Sequence, residues 1–240
     1  MERYNIKFEY SLVLPMQKEL KQLVNQIKDQ NLRKIALDLL SNPKISLKDI
    51  GASELSLDVS PAGKSQHHSY PRGLVEHTIS TSKIAMTLCD SVEKIYQGKI
   101  NRDLVLAGVL LHDIFKPQTY VAKENGTYDI SPLGEKLDHL TLILCELYQR
   151  KVPIDLLHIV AAHHGRSGPI SPRTIEALIV HVADVADATL NSEILYAARS
   201  ITRECIGEEV ILSSSKKAFD IILAKQAKGC EGVRALLKKM

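Results

Sequence analysis

Residues 101–117 read NRDLVLAGVLLHDIFKP, and this stretch sets the reading of the rest of the chain. Asn101 can cap a helix and Pro117 can stop one. Between them Leu104, Gly108, Leu111 and Phe115 recur with the period of one buried helical face, and His112 lies at its edge with Asp113 beside it. An apolar helix therefore carries an imidazole and a carboxylate toward the interior.

Upstream, Leu74, Thr81, Ile84 and Leu88 mark the buried face of a second helix closing near Gly98, and His77 shares that face. Further back, Pro15 opens a long amphipathic segment in which Leu20, Val24, Ile27, Ile35 and Leu39 recur until Asn42-Pro43. Residues 51–71, with Gly51, Ser60-Pro61, Gly63 and Pro71, read as a long irregular connection, a kind of loop that usually has a task. Tyr4 to Leu14 reads as a short strand or an ordered arm.

Downstream, Gln118 to Ile130 holds two β-prone arms around Asn125-Gly126, which predicts a type I′ hairpin. Ser131-Pro132 and Ser171-Pro172 each offer an N-cap followed by proline, for helices carrying His139 and then His181, Asp184 and Asp187. A helix from about Pro153 carries His158, His163 and His164 and ends at Gly165. From Ser192 the tail offers two or three more amphipathic helices. The expected organisation is an arm over 1–14 and one helical domain over 15–240, its chemical core about 55–190 and its C-terminal helices 192–240.

Composition narrows the functional classes. With 45% hydrophobic residues the chain can fill a sizeable core, which excludes general disorder. Thirty-one Lys and Arg against 28 Asp and Glu leave +3, too slight to mark a dedicated nucleic-acid or membrane-surface binder. The longest apolar run, Leu104 to Leu111, falls far short of the roughly 20 residues that span a bilayer. Charge interrupts every apolar stretch of the N-terminus, so no export signal is visible. The cysteines at 89, 145, 205 and 230 form neither a zinc knuckle nor a CxxC pair, and reduced thiols in the cytoplasm are the simplest reading.

All nine histidines lie between His67 and His181. Five successive helices thus present His77, His112-Asp113, His139, His163-His164 and Asp184, side chains that bind divalent metals at neutral pH. One ion fits His77, His112, Asp113 and Asp184; a second fits His139 and His163, with Asp113 between the two. Two dications against two carboxylates leave a positive site that needs anionic ligands, which a hydroxide and a phosphate supply. Lys116, three residues after Asp113, can reach a phosphate oxygen. His158 and His181 taken singly read as hydrogen-bonded core residues. His164 reads equally as ligand, phosphate donor or helix-end residue, and Asp187 as a support to the ligands or an exposed acid. Lys64, His67, His68 and Arg72, just before His77, read as substrate contacts or as ordinary solvated loop.

The series His77, His112-Asp113, Asp184 resembles the H…HD…D signature of the HD-domain metal-dependent phosphohydrolases. Phe115 stands where their HD-I-G-K run usually has glycine. His139 and His163 resemble the extra ligands of the two-metal subgroup. The resemblance is strongest to the HD domain of the YhaM-type 3′→5′ exoribonucleases, through Pro61-Ala-Gly-Lys64-Ser-Gln-His67-His68, Gly73-Leu-Val-Glu-His77, Gly134-Glu-Lys-Leu-Asp-His139, His163-His164-Gly165 and His181-Val-Ala-Asp184. It covers about residues 55–190. Those enzymes also carry an N-terminal OB-type module, whereas about 15 residues precede the first expected helix here.

The resemblance implies an all-α HD-type bundle with one minor β-hairpin. It implies hydrolysis of a phosphoester of a nucleotide or oligonucleotide by a metal-bridged hydroxide. His77, His112, Asp113, His139, His163 and Asp184 would be metal ligands, and Asp113 and Lys116 catalytic. Lys64, His67, His68, Arg72 and His164 would bind substrate, one of the histidines protonating the leaving group. Two divalent ions are expected, Mn²⁺ or Fe²⁺ foremost, with Ni²⁺, Zn²⁺ or Mg²⁺ compatible. The partner would be a phosphorylated small molecule or a short single-stranded nucleic acid, with no membrane. A di-iron oxygenase and a non-catalytic nucleotide-binding module are the alternatives on the same scaffold.

Overall fold

Among the described residues, five helices begin where a side chain satisfies one or two of their first free N–H groups. The computed structural model describes residues 10–51, 53 and 55–239. Helix α1 (Tyr10–Gln26) is followed by α2 (Gln30–Ser41), which starts because Asp29 accepts from the amides of Asn31 and Leu32. Helix α3 (Gly73–Lys94) follows the irregular stretch, and Asn101 caps α4 (Arg102–Leu111) at the amide of Leu104. The short α5 (Lys116–Thr119) leads into β1 (Tyr120–Ala122) and β2 (Tyr128–Ile130), antiparallel with Tyr120 opposite Ile130. Asp138 caps α6 (His139–Gln149), then come α7 (Ile154–Ala162) and a 3₁₀ turn at Gly165–Ser167. Thr174 caps α8 (Ile175–Ile206) and Ser214 caps α9 (Ser215–Leu237). Each side-chain cap contributes about 1 kcal/mol.

This is the all-α bundle with a minor hairpin expected from the sequence, but several boundaries differ. The long N-terminal segment is two helices, because Asp29 binds the amides of Asn31 and Leu32 and so starts a second one. Pro15 lies inside α1 rather than at its start, and residues 10–14 of the expected arm are helical. Residues 1–9 lie outside the described residues. The hairpin turns through Lys123 to Thr127, and only Gly126 of its Asn-Gly pair has positive φ, so it is not the two-residue type I′ turn, which needs both. Ser131 and Ser171 do not cap helices. Ser131 Oγ instead accepts from Gly134 N within a turn, and the caps stand seven and three residues further on, at Asp138 and Thr174. Helix α8 runs unbroken through Ser192.

The core is one slab with two extensions. Leu106, Leu110, Leu111 and Phe115 pack against Ile143, Leu147, Leu156 and Val160 on one side and Val24, Ile27 and Leu39 on the other. Val105, Val109 and Cys89 meet Ile159, Val180 and Ala183. Helix α4 thus lies at the centre, and a Cβ at Gly108 would overlap Ile159, so this glycine lets α4 and α7 approach closely. A satellite cluster of Leu195, Ala198, Ala218, Ile221 and Val233 binds α9 to the second half of α8. There Cys205 and Cys230 form a disulfide, with Cα atoms 5.0 Å apart. This corrects the reading of four reduced thiols: a pairing made by two packed helices leaves no local spacing signal. Cys89 and Cys145 are free. Among the described residues no helix is long and apolar enough to cross a membrane.

Candidate active site

The central helix ends where its chemistry starts. Helix α4 stops at Leu111, so His112 is its C-cap and Asp113 stands in the turn beyond. His77 from α3 and Asp184 from α8 close on this point. His77 Nε2 lies 3.1 Å from Asp184 Oδ1, 3.3 Å from His112 Nε2 and 3.5 Å from Asp113 Oδ2. His112 Nε2 is 3.3 Å from the same Asp113 oxygen. The other oxygen, Oδ1, faces His139 Nε2 at 3.2 Å and His163 Nε2 at 3.8 Å. The ring nitrogens of His139, His163 and His164 lie within 4.8 Å of one another, as do the donor atoms of His77, His112 and Asp184. Asp113 stands between the two groups.

Two of the rings are aimed by one device and a third by a carboxylate. At a helix C-terminus the last carbonyls have no intrahelical partner. His112 Nδ1 and His163 Nδ1 donate to last-turn carbonyls, those of Val109 and Val160, each at 2.7 Å. His77 Nδ1 donates to Asp187 Oδ2 at 2.6 Å. With Nδ1 so engaged, Nε2 of each ring is turned into the cluster, where its lone pair can serve a cation whenever the ring is neutral.

Lys116 Nζ lies 2.6 Å from Asp113 Oδ2 and is buried with it. The sequence places Lys116 on the same helical face as Asp113; the contact is made instead by a turn, in which Lys116 N donates to Asp113 O at 2.9 Å.

The electrostatics follow from crowding charges away from water. Burial favours a neutral Asp113, but His112 and Lys116 outweigh it and hold the carboxyl well below its usual range. Burial also disfavours a charged His112, yet Asp113 and Asp184 raise its ring to about 9. His163 is driven well below its usual value by burial and by His112.

The cluster is nevertheless incompletely satisfied. Both oxygens of Asp113 and Nε2 of His139 and His163 are buried without a well-directed hydrogen bond, despite the short ion-pair distances. Leaving such acceptors unmatched costs on the order of 1–3 kcal/mol each, and more for a charged group. An imidazole and carboxylate set with inward orphan acceptors fits a divalent cation.

The remaining expected residues divide. His67 and His68 come to the site, their rings 5.1 and 5.3 Å from that of His77. His68 is fixed there by its main-chain N–H, which donates to Asn191 Oδ1 at 2.6 Å. Lys64 does not join the cluster; it is exposed and pairs with Asp129 of β2 at 3.5 Å. Arg72 occupies the N-cap position of α3 with a left-handed backbone. His181 Nδ1 donates to the carbonyl of His163, and His158 Nε2 accepts from Arg173 N, so both are hydrogen-bonded within the scaffold.

The sequence reading left Asp187 open and passed over Asn191 and Tyr70. All three are buried, and Asn191 Nδ2 donates to the Tyr70 hydroxyl at 3.1 Å. The signal was present, because Asp184, Asp187 and Asn191 stand at i, i+3 and i+7, a polar stripe where the helix faces the core.

The chain is similar to known proteins. The HD-domain profile matches residues 74–189. The dihydroneopterin 2′,3′-cyclic phosphate phosphodiesterase of Methanocaldococcus jannaschii is 45% identical over 182 residues, 76% of this chain and 73% of that protein. The chain belongs to the HD-domain family. HD domains are metal-dependent phosphohydrolases, and this HD-domain protein is a hydrolase of phosphoesters. The 3′-5′ exoribonucleases YhaM of Listeria monocytogenes and Bacillus subtilis are 29% identical over 187 residues and 28% identical over 181. The aligned regions cover 73% and 71% of this chain but only 54% and 52% of those enzymes, so the chain spans about half their length. No solved structure matches the chain.

Proposed function

We propose that this HD-domain protein is a phosphodiesterase that opens a cyclic phosphodiester on a small nucleotide-like molecule, with two divalent cations. The observation that carries the reading is the 45% identity to a cyclic-phosphate phosphodiesterase across about three quarters of both chains. His77, His112, Asp184 and Asp113 Oδ2 would hold one cation. His139, His163, His164 and Asp113 Oδ1 would hold the other, which moves His164 from substrate contact to ligand. Mn²⁺ or Fe²⁺, the ions that suit this mixed set best, would supply Lewis acidity toward the phosphoryl oxygens and a nucleophile at neutral pH.

The chain's own groups do the positioning. Lys116, buried against Asp113, offers its ammonium to a phosphoryl oxygen, and His67 and His68 add ring N–H donors above His77. Of the proposed ligands, Asp184 and His139, at 14% and 15%, and His164 are the partly exposed ones, while His77, His112, Asp113 and His163 are buried, which suits a small phosphate-bearing molecule entering from one side.

The test is a substrate panel with Mn²⁺ or Fe²⁺. A pterin or nucleoside 2′,3′-cyclic phosphate should be opened to a monoester with kcat/KM at least about 100-fold above that for short single-stranded RNA. Stepwise shortening of RNA from its 3′ end as the faster reaction would replace this reading with an exoribonuclease, in line with the YhaM relatives.

The same reading makes Asp187 a positioning residue for His77. Asp187→Asn keeps the shape but removes the charge that fixes the ring, and should weaken metal binding about 10- to 100-fold while leaving the fold intact. Titration of the apoprotein with Mn²⁺ measures it; unchanged affinity would show that packing alone holds His77.

A further inference from the structure

Helix α8 has two faces with different tasks. Asp184, Asp187 and Asn191 point into the bundle, and Leu195, Ala198 and Cys205 continue that buried face beneath α9. On the opposite side Ile175, Leu178, Val182, Val185, Leu190 and Tyr196 are between 42% and 65% exposed. Most of them fall at alternating spacings of three and four residues, the pattern of a seam that packs against another helix. Beyond Ser200 the same outer face turns charged, with Arg203 and Glu204 exposed and Arg203 paired to Glu209. The apolar character is thus confined to the first two thirds of the helix, where among the described residues no element covers it.

We propose that this stripe is the interface of a symmetric dimer, in which α8 of two copies pack antiparallel about a two-fold axis between Val182 and Val185. With the six residues 42% to 65% exposed, the stripe is on the order of the few hundred Å² that the largest apolar patch on a monomer reaches. Paired with the same stripe of a second copy, together with the flanking side chains, it approaches the roughly 1,000 Å² expected of a specific interface.

Charge placement identifies the occupant. The exposed charges flanking the seam are Arg173 just before the helix and Glu193 near the far end of the apolar stripe, at nearly equal distances on either side of the axis. Antiparallel pairing therefore sets Arg173 of each copy beside Glu193 of the other, so the surface is complementary to itself. The same register brings Tyr196 of the second copy to the level of Ser171, next to a shallow apolar groove lined by Ile154, Ile170 and Thr174.

Light scattering on the full chain at micromolar concentration tests this. The wild type should have the mass of two chains, and Val182→Glu, which sets like charges together at the axis, should halve it with helicity and a cooperative melting transition retained. Leu178→Gln, a milder variant, should raise the dissociation constant without unfolding risk. Arg173→Glu should weaken association about tenfold, and Arg173→Glu combined with Glu193→Arg should restore it. A monomeric wild type, an unchanged mass in a folded Val182→Glu, or failure of the double charge swap to restore association would each overturn the proposal.

Discussion

Asp113→Asn should lower kcat/KM by about 10³- to 10⁴-fold, a loss of roughly 4–5.5 kcal/mol of transition-state stabilisation. The size follows from position. Among the described residues Asp113 is the one carboxylate with an oxygen toward each cluster, Oδ2 beside His77 and His112 and Oδ1 beside His139 and His163. The amide keeps the shape and removes the charge, so both proposed cations lose a ligand at once. The substitution also strands Lys116, a buried ammonium 2.6 Å from the lost charge. Removing one partner of a buried pair costs about 3–5 kcal/mol, so the variant should also melt earlier. Steady-state kinetics, metal content and thermal denaturation read the three effects separately. A variant that keeps a full metal load and a tenth of the activity would remove Asp113 from its proposed place.

Chelation should act on activity and stability together. Cations bound to the native state and not to the unfolded chain stabilise by mass action, about 4 kcal/mol at a free concentration 1,000 times the dissociation constant. For a domain of this size each kcal/mol moves the melting temperature by about 2–4 °C, so EDTA should lower it by roughly 10 °C and abolish hydrolysis. Added Mn²⁺ should restore both. The direction is not trivial, because the cation-free cluster has its own stabilising pairs, with His112 raised to about 9 beside Asp113. If EDTA leaves the melting curve in place, those pairs suffice and the orphan acceptors of Asp113, His139 and His163 are scaffold groups.

The proposed chemistry was legible in sequence where it was local. His112 and Asp113 adjoin at the end of an apolar helix, and His77 and Asp184 lie on apolar faces of their own, so helical period alone points them inward. What period could not supply was the second layer. Asp187 and Asn191 matter through atoms 110 and 123 positions away, on His77 and His68. Lys64 misled because a loop charge near a motif in sequence can still find a partner elsewhere, here Asp129 on the hairpin. Helix starts were misplaced at Ser131 and Ser171 because several residues in a row could cap, and packing chose Asp138 and Thr174.

The sulfur bridge between Cys205 and Cys230 gives the C-terminal hairpin a topological property that its packing alone would not. It closes a ring of chain, 25 positions in separation, that contains the whole connection from α8 into α9. By chain entropy such a closure contributes about 3.5 kcal/mol against unfolding. A protease that cut between Gly207 and Ser214 would leave two fragments travelling as one molecule, separable only once a reductant opened the ring.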